Sequence, residues 1–176
     1  RTMRLCRRLC VSSAPAGWRA AAVRTLKVGD SSVNVRQHFF DQPVPQPRTG
    51  PLRADLTGMK VWPVSLRLLD SLCDESDARL GIDALLRRRG GDSPLRVLEL
   101  GAGVGLLGIA LAARRHDVSV LLTDPGVNVH FEDGASNTLE WLSANVHANA
   151  HVTKGRASAG RLLWGFDDHI EAIGQL

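Results

Sequence analysis

The chain has 176 residues, 44% hydrophobic and 23% charged, which suits one globular domain. No run approaches the ~18 apolar residues of a membrane-spanning helix, so no membrane partner is expected. Three cysteines without a Cys-x-x-Cys pair argue against a disulfide framework and a thiolate zinc site, and the net charge of +4 invites a search for an anionic partner.

That charge sits at one end. Arg1, Arg4, Arg7, Arg8, Arg19, Arg24 and Lys27 precede the first acid, Asp30. Taking these seven from the 22 basic residues leaves 15 against 18 acidic ones, a net of −3 over residues 30–176. A nucleic-acid partner is therefore not expected, because a binding face needs clustered cations on the folded domain. Residues 1–25 are rich in Arg, Ala and Ser and read as a leader. They have the composition of a mitochondrial transit peptide or, alternatively, of a disordered tail, so the expected location is mitochondrial or cytoplasmic.

Residues 26–28 and 33–37 alternate apolar and polar side chains around a Gly29-Asp30-Ser31-Ser32 turn, which predicts a β-hairpin. Four prolines in residues 42–53 force an extended or loop segment, so residues 26–57 are read as hairpin plus Pro-rich loop. A helix is expected to start at Trp62-Pro63, with proline in its first turn and Leu66, Leu69, Leu72 and Cys73 on one face. A second helix is expected to end at Arg87-Arg88-Arg89-Gly90.

Leu95-Arg96-Val97-Leu98-Glu99-Leu100 predicts a strand, followed at once by Gly101-Ala102-Gly103-Val104-Gly105, a helix over 106–115, and a strand over 118–124. This βαβ unit lacks the polar alternation of a solvent-facing sheet, so both strands are expected to be buried. Residues 125–136 read as irregular. Asn137 is placed to cap a helix through Trp141, Leu142 and Val146, with Glu140 at the third helical position. Residues 159–164 are a possible third strand. His147 and His151 have the spacing of a zinc pair, but no HExxH glutamate accompanies them, so they read as a solvated helix end and no metal site is expected.

Two glycine registers overlap after the first strand. Gly101-x-Gly103-x-Gly105 is the pattern of an S-adenosylmethionine turn, whereas Gly103-x-Gly105-x-x-Gly108 matches the dinucleotide fingerprint. Position favours the first, because the fingerprint should start where the strand ends and Gly103 comes two residues late. Glu99 also stands at that strand's end, suited to a cationic ligand group rather than a pyrophosphate. Asp124, ending the next strand, can accept hydrogen bonds from ribose hydroxyls in either cofactor class. A tight turn without a ligand is the plain alternative.

Gly58-Met59-Lys60-Val61-Trp62-Pro63, the run from Val97 to Gly108, Leu122-Thr123-Asp124, residues 137–149 and Leu162-Leu163-Trp164-Gly165 follow one another in an order that resembles class I methyltransferases. More narrowly, the set is similar to the protein-lysine methyltransferase group filed as methyltransferase family 16, nicotinamide N-methyltransferase-like. The resemblance implies a Rossmann-like α/β fold over residues 58–176, preceded by a hairpin, with S-adenosylmethionine as cofactor. It implies that Trp62 and Trp164 line the adenosine pocket and that Gly101, Ala102, Gly103 and Gly105 form the turn at the methionine end. Glu99 would serve the cationic group and Asp124 the ribose. A protein lysine is the implied methyl acceptor.

The family fold places a fourth strand beside the first and follows it with Asp-x-x-Tyr. Only 71 residues follow Gly105 and the chain has no tyrosine, so a methyltransferase domain incomplete at its C-terminus is expected, and no catalytic residue is assigned. The strand over 95–100 is then expected to present an unpaired edge. Two rival readings remain open. One is a catalytically inactive fragment that binds cofactor or partners; the other is a dinucleotide-binding protein.

Overall fold

A computed structural model describes residues 6–8, 21–38, 56–73, 82–83, 94–131 and 134–174. The hairpin comes first. Strands β2 (Ala21–Val28) and β3 (Ser31–His38) pair antiparallel around Gly29-Asp30, and β1 (Cys6–Arg8) adds to the outer edge of β2. Residues 21–25, assigned to the leader on composition, are thus part of a strand. The strand reaches back that far because residues 21–25 pair with residues 34–38 of β3, a partner that composition alone does not show. Leu26, Val28, Val33 and Val35 are all buried and join the main core.

A 3-10 turn over Leu56–Met59 leads into helix α1 (Pro63–Leu72), with proline at its start as expected. Leu69 and Cys73 are buried, with Leu66 and Leu72 packed beside them. The helix expected to end at residues 87–90 lies outside the described residues.

The central sheet is parallel, in the order β4 (Leu95–Leu100), β5 (Val118–Asp124), β8 (Ala157–Arg161). Helix α2 (Leu106–Arg114) connects β4 to β5, giving a Rossmann-like arrangement. One face of the sheet packs on α2, where Ile109, Ala110, Leu111 and Ala112 meet Val120 and Leu122. The other face is more open. Along β4 the residues alternate between half-buried and exposed, with Leu98 and Leu100 45% and 55% accessible, so burial on both faces is not observed. Among the described residues β4 pairs only with β5.

The end of α2 is fixed by charge. The Arg115 guanidinium reaches Asp83 and Asp117, each at 2.6 Å, and holds the Asp117 carboxyl below the usual carboxylate range.

Residues 125–136 are not irregular. They contain most of a small hairpin, β6 (Asn128–Phe131) and β7 (Gly134–Asn137). Part of its signal was present, since Val127, Val129 and Phe131 alternate with polar residues. Asn137 ends this hairpin and caps α3 (Thr138–Ala148), its Oδ1 accepting from the Leu139 N–H at 2.9 Å. A short helix α4 (Ala150–Thr153) follows. Strand β8 starts two residues before its expected position and stops at Arg161, so residues 162–164 run beyond the sheet, ahead of helix α5 (Asp167–Gly174).

Candidate functional site

Parallel strands end on the same side of a sheet, and ligands gather outside their carboxyl ends. Here Leu100 pairs with Thr123, so the turn leaving β4 lies beside Asp124 at the end of β5. The Ala102 N–H donates to the Thr123 carbonyl at 2.8 Å, and the Gly103 N–H donates to Asp124 Oδ2 at 3.2 Å. Gly103 has φ +55°, and a Cβ there would lie 2.7 Å from the Gly58 carbonyl oxygen. Glycine therefore serves twice at this position, for the left-handed backbone and for close contact with the 3-10 turn.

A cavity of about 740 Å³ opens over this turn, within the range of small-molecule sites. Its lining includes Trp62, Glu99, Gly101, Ala102, Gly103, Asp124 and Trp164, seven of the eight residues expected from sequence. The eighth, Gly105, lies outside it. Gly105 is the N-cap of α2 with φ +81°, and a Cβ there would strike Leu142 and Leu122, so it serves packing beneath the site.

The two carboxylates differ in what satisfies them. Asp124 is buried and accepts from Gly103 N–H, from Gly126 N–H at 3.1 Å and from the Thr138 hydroxyl. An ionised carboxylate has about four acceptor positions, so roughly one remains for a ligand. Asp124 thus organises the glycine turn and the β6 approach as well as facing the cavity.

Glu99 is the opposite case. Its Oε2 is buried without a hydrogen-bond partner among the described residues. Burial raises its carboxyl to about 7, offset only in part by the Gly108 backbone N–H. That oxygen lies against Gly108 of α2, and a cationic group entering the cavity that Glu99 lines would favour the ionised carboxylate. The site also contains a cation of its own, since Lys60 Nζ sits 4.1 Å from the centroid of the Trp62 ring.

Trp62 and Trp164 line the cavity and remain 43% and 73% accessible. Trp141 is different: it is fully buried and its Nε1–H donates to Ser136 Oγ at 2.8 Å, which makes it a core residue. His147 and His151 are both exposed. Among the described residues, no group of three or more His, Cys, Asp or Glu is placed to hold a metal ion.

Several wall residues were not singled out from sequence. Gly58 was quoted only as part of a motif, yet it lies against Gly103. Thr138 fell only inside the quoted run 137–149, yet its hydroxyl donates to Asp124, accepts from Val127 N–H at 3.0 Å and so ties the approach to β6 to Asp124. Leu162 and Leu163 line the cavity because the chain leaves β8 at Arg161.

A family model described as lysine methyltransferase matches residues 53–173. EEF1A lysine methyltransferase 3 of Mus musculus is 36% identical over 111 residues, covering 63% of this chain and 37% of the relative. The match therefore spans little more than a third of the length of that curated relative.

Proposed function

The chain belongs to the lysine methyltransferase family, and on that premise we propose that its cavity binds S-adenosylmethionine for transfer of a methyl group to a protein lysine. The observation that carries this reading is the placement of two carboxylate residues, Glu99 and Asp124, in one cavity at the ends of two parallel strands. The bound cofactor would supply an electrophilic methyl group on a sulfonium, together with an α-ammonium and a ribose.

The residues present suit such a ligand. Glu99 answers positive charge, Asp124 accepts from a ribose hydroxyl, and backbone at Gly101, Ala102 and Gly103 allows close approach. Trp62 and Trp164 would hold the adenine by apolar and stacking contact. The chain's contribution to methyl transfer is then positioning, since an in-line displacement gains most from proximity and alignment. The acceptor amine must be unprotonated, and no residue here is assigned to that task.

The tryptophans allow an optical test. S-adenosylhomocysteine should change tryptophan emission in the full chain, and a variant carrying Trp62→Phe and Trp164→Phe should lose most of that change. A full response in the double variant would remove both residues from the site.

A further inference from the structure

Strand β3 uses one edge to pair with β2, and along its other edge stand the side chains of Asn145 in α3 and of Asn149, the residue that caps the end of that helix. Asn145 and Asn149 are 1% and 0% accessible. Asn149 Oδ1 accepts from Asn34 N–H at 2.9 Å, and its Nδ2 donates to the Asn34 carbonyl at 2.7 Å. Asn145 repeats the arrangement two residues along the strand. Its Oδ1 accepts from Arg36 N–H at 2.9 Å and its Nδ2 donates to the Arg36 carbonyl at 3.0 Å.

The spacing explains the fit. Two residues of strand advance about 6.7 Å, and four residues of helix advance about 6 Å. A helix carrying amides at i and i+4 can therefore take the place of a neighbouring strand. In both residues the amide's second hydrogen is also used, but on different partners. Asn149 donates it to the Asn145 carbonyl at 2.7 Å, within the helix region. Asn145 donates it to the Val104 carbonyl at 2.9 Å, in the glycine turn between Gly103 and Gly105.

We propose that Asn145 is a positioning residue for the cofactor site, holding the glycine turn through Val104 and coupling it to the N-terminal hairpin through Arg36. This rests on the S-adenosylmethionine reading above. Asn149 is its natural control, because it makes the same clamp on β3 without touching the turn. Asn145 donates to two carbonyls and accepts from one N–H, so removing its amide leaves all three groups, the buried Val104 carbonyl among them, without that partner.

The test compares Asn145→Ala with Asn149→Ala in the full chain. Both should lower thermal stability. S-adenosylhomocysteine affinity should fall by at least about tenfold in Asn145→Ala and stay within about twofold in Asn149→Ala. Without ligand, amide hydrogen exchange over residues 101–105 should speed up in the Asn145 variant alone. If Asn145→Ala does not fold, Asn145→Ser, which keeps a hydroxyl in the same space, gives the same comparison. Equal losses of affinity, or equal exchange in the turn for both variants, would overturn the proposal. Wild-type chain that fails to bind S-adenosylhomocysteine, but shows the exchange difference, would instead overturn the cofactor reading and leave the coupling intact.

Discussion

Replacing Gly103 with alanine should lower both stability and cofactor affinity far more than the same change at Gly101. The φ of +55° already costs an L-residue about 1–2 kcal/mol. The new Cβ would also meet Gly58 oxygen at 2.7 Å and Gly58 carbon atoms at 3.3 Å, all of them backbone, which cannot rotate aside. Relief requires the 3-10 turn to lift, and that turn leads directly to the Lys60 and Trp62 wall of the cavity. Overpacking of this kind adds about 1–3 kcal/mol. Gly101→Ala is the comparison: its φ is +65°, but its Cβ would meet nothing within 4 Å. Thermal unfolding should therefore rank Gly103→Ala well below Gly101→Ala. Equal melting temperatures would show that contact with Gly58 does not matter.

The second large effect concerns Glu99→Gln and has opposite signs for stability and binding. The Glu99 carboxyl lies at about 7 in the folded chain against an ordinary 4.5. Between those values the folded chain keeps a proton that the unfolded chain has released. Stability from this group is thus full below about pH 4.5, falls as pH rises toward 7, and levels off above. The shift corresponds to on the order of 3 kcal/mol across the window. Glutamine does not titrate, so this part of the pH dependence should vanish in the variant. Affinity for a cationic ligand runs the other way, rising in wild type as the carboxylate forms. The variant should bind S-adenosylhomocysteine weakly and without that rise. Denaturant melts and binding curves between about pH 5 and 8 check both halves. Identical stability profiles would contradict the buried-acid reading, and unchanged affinity at high pH would remove Glu99 as the cation's partner.

The centre of the molecule was legible because local signals there agree with one another. Strand β4, the glycine turn, α2 and β5 were read from their apolar runs and from glycines that the backbone requires. Asn137 was recognised as a cap from a single side chain and its spacing to Glu140. What escaped was set by tertiary packing. Nothing local says that Asn145 and Asn149 replace a strand, since their partners lie over a hundred residues away. Open exposure of Leu98 and Leu100 likewise cannot be read from an apolar run, which is the same whether a neighbour covers it or not. Gly105 shows the converse problem. A glycine motif records a backbone need, but not whether that need comes from a ligand or from Leu142 beneath it.

The most direct measurement is calorimetric titration of the full chain with S-adenosylhomocysteine and, in parallel, with NAD. The account predicts saturable one-site binding of S-adenosylhomocysteine, weakened in Asp124→Ala by about 1–3 kcal/mol, and no binding of NAD. Binding of NAD without S-adenosylhomocysteine would contradict it, and would return the glycine turn to the dinucleotide register.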